Sequence, residues 1–118
     1  MSLLVVGALH RDVVVQAPRL PHLGETLRGQ DVAYQFGGKG GNQAVAAARA
    51  GAKVSFAGRI GNDAAGQFMR KQLVEAGVEI SQLQQGNGAS GMSVAIVTEN
   101  GDYGAVIVSA ENHAFDTS

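Results

Sequence analysis

Hydrophobic positions along the chain come as short runs broken by glycine and polar residues, and the runs change character partway through. Residues 3–9 (LLVVGAL) form a compact apolar run, the pattern of a buried strand. A second, β-branched run, residues 12–16 (DVVVQ), either continues that strand after a break or forms a separate one. Pro18, Pro21 and Gly24 mark residues 17–25 as a loop. Residues 26–36 alternate loosely, as a half-exposed strand or a bent pair of strands does.

The period then lengthens. After the glycine-rich stretch 37–41, residues 42–50 are dominated by alanine, the best helix former. Ala44, Ala47, Ala48 and Gly51 share one helical face, and side chains this small let a helix approach a sheet closely. Gly51 is the natural stop. Residues 53–58 (KVSFAG) read as the next strand and residues 60–62 as a turn. Asp63 is placed to cap a helix that runs to about Ala76. Its partial apolar stripe is Ala65, Phe68, Leu73, Val74 and Ala76, and Gly77 ends it. The order strand, helix, strand, helix predicts a parallel α/β core. Residues 92–98 (MSVAIVT) and 103–109 (YGAVIVS) flank Glu99-Asn100-Gly101-Asp102, and Asn-Gly between two such runs predicts a hairpin. Only two or three parallel strands are laid down, whereas a doubly wound sheet takes about five or six. The expectation is a piece of a larger domain, with an unpaired strand edge and open apolar faces that favour self-association.

Composition narrows the function classes. The chain has 118 residues, 45% apolar and 16% charged, with a net charge of −1: a globular profile without the basic excess that nucleic acid or an anionic membrane surface would require. The absence of cysteine excludes disulfides and thiolate metal sites. The three histidines are far apart in sequence and follow no metal-ligand spacing, so no structural metal is expected. The opening run is too short to span a bilayer and lacks a basic leader, which makes the cytoplasm the expected compartment.

Glycine-rich turns before a helix often hold phosphate, but two common versions fail here. A Walker A loop needs a hydroxyl residue after its lysine, and Lys39 is followed by Gly40. A dinucleotide fingerprint needs Gly-x-Gly-x-x-Gly after the first strand, and residues 7–12 read GALHRD. Several residue types here have hydrogen-bonding chemistry that a hydroxyl-bearing ligand could use. The Asp12 carboxylate can accept hydrogen bonds from two adjacent hydroxyls, and the Asn42 amide offers both donor and acceptor. Gly37, Gly38, Gly40 and Gly41 let backbone N–H groups come close to a ligand. Lys39 stands at a helix start, where positive charge is mildly unfavourable unless a ligand uses it.

The run Gly37-Gly38-Lys39-Gly40-Gly41-Asn42-Gln43-Ala44, then Gly51, then Gly61, resembles the amino-terminal signature of the phosphofructokinase-B (PfkB, ribokinase-like) carbohydrate kinase family, in wording most like its ribokinase branch. Asp12 after the first strand, the loop Pro21-His22-Leu23-Gly24-Glu25-Thr26 and the segment Gly61-Asn62-Asp63-Ala64-Ala65-Gly66 agree with it in order and spacing. The resemblance covers residues 3 to about 114. It implies the amino-terminal part of a three-layer α/β fold with a small antiparallel β lid: lid strands at about 12–36 and 91–109, core at about 2–10 and 37–85. It also implies that Asp12, Gly38, Lys39 and Asn42 contact a ribose-like sugar or nucleoside, joined by His10, which stands where the ribokinase branch carries asparagine.

ATP and magnesium are implied for the family, through a carboxy-terminal Gly-Ala-Gly-Asp segment that these residues do not contain. No catalytic, cofactor or metal residue is therefore assigned, and this chain alone is expected to be inactive. The resemblance further implies a lid that closes over the sugar and a homodimer formed through lid strands. The alternative is a non-catalytic sugar-binding or regulatory protein that retains only the pocket.

Overall fold

A computed structural model describes residues 2–116. The elements run β1 (Ser2–Val6), β2 (His10–Ala17), β3 (Asp31–Gly37), α1 (Lys39–Arg49), β4 (Lys53–Gly61), α2 (Ala64–Glu75), β5 (Leu83–Gly86), β6 (Met92–Thr98) and β7 (Tyr103–Val108), followed by a short 3-10 helix at Ala110–Ala114. They form two sheets. A parallel sheet has the order β1-β4-β5, and a second sheet has the order β3-β2-β6-β7.

The second sheet is antiparallel at β3-β2 and at β6-β7, the expected hairpin, but its central seam pairs β2 with β6 in parallel. Strand β2 is a separate strand, because the chain leaves the parallel sheet after Val6 and joins the other at His10. His10, read above as the end of the core segment, thus opens the second sheet.

Helices α1 and α2 pack on the parallel sheet. Leu9, Ala44, Val54, Phe56, Ile60, Met69, Leu73 and Val78 form the buried core, with Ala47, Ala48 and Phe68 packed against it. Several element bounds differ from the sequence reading, and one strand is absent from it. Strand β4 continues to Gly61, into the turn expected at residues 60–62, because β5 pairs with it from Gly58 to Gly61. Strand β5 itself (LQQG) is too polar to register as an apolar run. Strand β3 starts at Asp31 rather than near Thr26, and α1 starts at Lys39, so two glycines lie inside its first turn. Val74 of the expected stripe is exposed, and Met69 takes the buried place beside Leu73.

Strand β1 is also less buried than its composition suggests. Val5 packs against the core, but Leu4 and Val6, which alternate to the other face, are 63% and 58% exposed, since no element described here covers that side. No helix among the described residues is long and apolar enough to cross a membrane.

Two polar clusters fix the connections. In the β2–β3 loop, the Arg19 guanidinium donates to both Glu25 carboxylate oxygens at 2.6 Å, and the His22 N–H adds a third bond. Together they lower the Glu25 pKa to about 2. At the start of α2, the Asp63 carboxylate accepts from the Gly66 N–H (2.8 Å), the Ser90 N–H (2.9 Å) and the Ser90 hydroxyl (2.6 Å). The same hydroxyl accepts from the Gly61 N–H at 2.8 Å. One carboxylate therefore caps α2 and ties the end of β4 to the segment leading into β6.

Burial alone would raise the Asp63 pKa, but the Ser90 and Gly66 hydrogen bonds, with Arg11 nearby, outweigh it and lower the value. A lowered folded-state pKa contributes stability above the unfolded carboxyl pKa and loses it as pH falls through the folded value. Replacing Asp63→Ala should cost about 1–2 kcal/mol at neutral pH, the worth of a strong N-cap. The gap to wild type should narrow as pH drops below about 4, which equilibrium urea denaturation across pH would show.

Candidate functional site

The candidate residues come from two places: the start of β2 and the turn from β3 into α1. The β2–β3 register sets His10 opposite Gly37 and Asp12 opposite Gln35. On the other side Asp12 lies directly across from Ser93 in the parallel seam. The Ser93 hydroxyl donates to Asp12 Oδ1 at 2.8 Å. The carboxylate lies over the Cα of Gly37: a Cβ there would sit 2.2 Å from Asp12 Oδ2. Gly37 is thus the floor under the carboxylate, and one oxygen is already oriented by a neighbouring strand.

Gly38 follows with φ 93° and ψ 134°, a conformation that L side chains rarely adopt. A Cβ at this position would also come within 2.4 Å of the Ala8 carbonyl oxygen. The chain then enters α1. The Asn42 N–H donates to the Gly38 carbonyl at 2.9 Å as the first helical bond, and the Gly41 N–H reaches across to the Ala8 carbonyl at 3.2 Å. Lys39 and Asn42 lie in this first turn with exposed side chains. The structure therefore gathers Asp12, Gly38, Lys39 and Asn42 at one junction, because Gly37 links the Asp12 carboxylate to the helix start.

His10 shares this junction but is turned differently. It is half-buried, its ring packs against Gly91, and its Nε2 is buried without a hydrogen-bond partner. An atom with no accessible surface reaches a ligand only if the ring moves. Asp12 is flanked in its row across the sheet by Gln35, Ser93 and Ile107, and the next row carries Ala33, Val14, Ala95 and Ala105. That face is low and open. A cleft of about 420 Å³ lined by Gln16, Ala17, Gln30, Val97, Thr98 and Glu99 lies at the far end of β2 and includes none of the candidate residues.

Sequence reasoning missed Ser93, since a serine inside a β-branched run carries no signal of its own. Only the parallel β2–β6 register brings it to Asp12.

An α/β layer joined to a small second sheet, with an acidic residue and a glycine-rich helix start at the join, is the arrangement of a carbohydrate kinase domain. The chain belongs to the pfkB family of carbohydrate kinases, whose family model matches residues 1–118. It is 37% identical over 112 residues to a ribokinase of Haemophilus influenzae, covering 94% of this chain and 37% of that protein. It is equally similar, at 37% over 112 residues, to a mouse ribokinase, covering 35% of it.

Among solved structures, a Cryptococcus neoformans ribokinase in complex with ADP superposes with a TM-score of 0.87 at 32% identity, over 99% of this chain and 37% of that one. An Arabidopsis thaliana ribokinase complexed with ribose and ATP gives 0.87 at 32% identity, over 92% of this chain and 36% of that one. The chain therefore spans little more than a third of the length of the relatives it matches.

The two glycines of the turn should respond differently to a methyl group. At Gly38 the obstacles are a positive φ and a backbone oxygen, so Gly38→Ala should cost about 1–3 kcal/mol. At Gly37 the obstacle is the Asp12 side chain, which can swing away. Urea denaturation should show the smaller loss for Gly37→Ala, and the reverse order would contradict this reading.

Proposed function

We propose that this chain forms the sugar-binding part of an ATP-dependent kinase that phosphorylates a hydroxyl of a ribose-like sugar or nucleoside. The observation that carries this reading is the Asp12 carboxylate, held over Gly37 and oriented by Ser93, beside the exposed Lys39 and Asn42. Asp12 accepts from sugar hydroxyls, Asn42 donates and accepts, and Lys39 supplies a cationic donor. Gly38 keeps the backbone low enough for a ligand to approach. His10 joins them when its ring turns out from Gly91. The Arabidopsis relative complexed with ribose and ATP supports both the sugar class and the nucleotide.

The described residues show no ready-made site of two familiar kinds for a metal or nucleotide. They include no group of three His, Asp or Glu side chains that could hold a metal ion, and the turn at 37–41 lacks the hydroxyl residue of a Walker A loop. By the family resemblance, we place phosphoryl transfer in residues outside this stretch. The small second sheet would act as the lid that shields the sugar from water, in the cytoplasm where ATP is supplied.

Titration calorimetry with D-ribose tests the site. The chain should bind ribose, and Asp12→Asn should weaken binding by about 10- to 100-fold, the worth of a charge-assisted hydrogen bond. With ribose and ATP together it should form no ADP. Absence of ribose binding by the wild-type chain at saturating concentration would sink the proposal, while ADP formation would show that the transfer machinery lies within these residues.

The lid sheet also supports a homodimer. Its other face carries the rows Tyr34-Val13-Val94-Val106 and Val32-Val15-Ile96, and Val106 is 66% exposed. A contiguous apolar surface of this kind on a sheet is costly to leave in water. A second copy of the same face would cover it. Analytical ultracentrifugation should find a dimer for the wild-type chain and a monomer for Val94→Glu; a monomeric wild type would remove the dimer from the reading.

A further inference from the structure

The crossover that leads into β2 is held from a distant part of the chain. Residues 7–9 cross from the parallel sheet to the lid sheet and belong to no strand. Leu9, in the middle of the structure, is fully buried, so both its backbone groups need partners. Both come from one side chain. The Leu9 N–H donates to Asn112 Oδ1 at 2.9 Å, and Asn112 Nδ2 donates to the Leu9 carbonyl at 2.8 Å. The same Nδ2 also donates to the Ser109 carbonyl at 2.9 Å. A primary amide thus replaces the neighbouring strand that Leu9 lacks.

Space for it is made by Gly91. A Cβ there would lie 2.2 Å from Asn112 Nδ2, 2.5 Å from His10 Cδ2 and 2.6 Å from the Leu9 carbonyl oxygen. Asn112 is itself firmly seated. Its neighbour Glu111 accepts from Arg59 Nε at 2.8 Å and from the Gly88 N–H at 3.0 Å, and the Glu111 N–H donates to the Ala89 carbonyl at 3.0 Å. Just before it, Ala110 has φ 49°, the only positive φ at a non-glycine residue described here. Strain of this kind persists only where surrounding contacts over-determine the backbone. On the opposite side of the crossover stand the Gly41 N–H bond to Ala8 and the close approach of Gly38 to Leu9 Cα. The crossover is gripped between the start of α1 and Asn112.

We propose that Asn112 is a positioning residue for the sugar site. By holding Leu9 through both backbone groups, it sets the direction in which β2 leaves the core and so places the Asp12 carboxylate over Gly37. This rests on the sugar-binding reading above. Nothing in it requires Asn112 to touch the ligand.

The test compares ribose affinity, thermal stability and amide exchange in the wild-type chain, Asn112→Ala, Asn112→Ser and a core control, Ile60→Val. Asn112→Ala should weaken ribose binding by about 10- to 100-fold, the scale of a displaced binding group, and should lose exchange protection at Leu9 and Arg11 while α2 keeps its own. Asn112→Ser leaves a small hydroxyl that can serve one of the two Leu9 backbone groups but not both, without setting a charge against the Leu9 and Ser109 carbonyls, so it should fold and fall between wild type and Asn112→Ala. It carries the test if Asn112→Ala does not fold. Ile60→Val should lower the melting temperature and leave ribose affinity unchanged.

Wild-type ribose affinity in both Asn112 variants would overturn the proposal. So would an equal loss of affinity in Ile60→Val, which would reduce Asn112 to general stability. If the wild-type chain fails to bind ribose, the sugar-binding reading falls and takes this inference with it. Intact affinity in Asn112→Ala with a binding wild type defeats the inference alone.

Discussion

The distance between the first turn of α1 and the β1–β2 crossover governs the rest of this structure. Gly7 and Gly40 meet backbone to backbone: a Cβ added to Gly40 would sit 2.7 Å from the Cα of Gly7. That approach lets the Gly41 N–H bond the Ala8 carbonyl and lets the buried Leu9 lie against α1. Larger residues would push the helix outward by a side-chain radius and break those bonds. The junction between core and lid, and with it the candidate site, exists because two backbones can touch.

The two sheets are joined by this crossover, by Phe36 of β3 packed against the core, and by a small set of polar clasps. Asp63 with Ser90, Arg59 with Glu111, and Asn112 with Leu9 each connect segments far apart in sequence. Hydrogen bonds suit that task because they specify direction, whereas apolar contacts tolerate sliding. The parallel sheet and the two helices packed on it supply most of the buried apolar mass. The lid sheet has one face with small residues beside Asp12 and another rich in exposed valine. Those two faces follow from strict alternation along β2, β3, β6 and β7.

Much of this was legible along the chain. The alanine-rich helix, the Asp63 cap, the Asn-Gly hairpin and the glycine-rich turn all arise from local preferences that act over a few residues. The signature at Gly37 to Ala44 was enough to indicate the family. Other features left no local trace. Strand β5 is polar and exists because β4 offers it an edge. The central seam of the lid is parallel because β2 and β6 approach from the same direction, which no hairpin signal reports. Val74 lies outside the core because α2 turns Met69 and Leu73 inward instead.

By itself, then, the sequence determined the types of most elements, their order, and the residues Asp12, Gly38, Lys39 and Asn42 as candidates for polyol contact. The elements follow from propensity and periodicity, which belong to each residue and its near neighbours, and the candidate residues from the resemblance of the glycine-rich signature, with which their side-chain chemistry agrees. Tertiary structure alone decided that Ser93 orients Asp12, that His10 turns its Nε2 inward, and that Asn112 holds a backbone 103 residues away. Such pairings are chosen by the fold as a whole: a buried N–H or carbonyl must find a partner, and which one it finds depends on where every other segment has already packed.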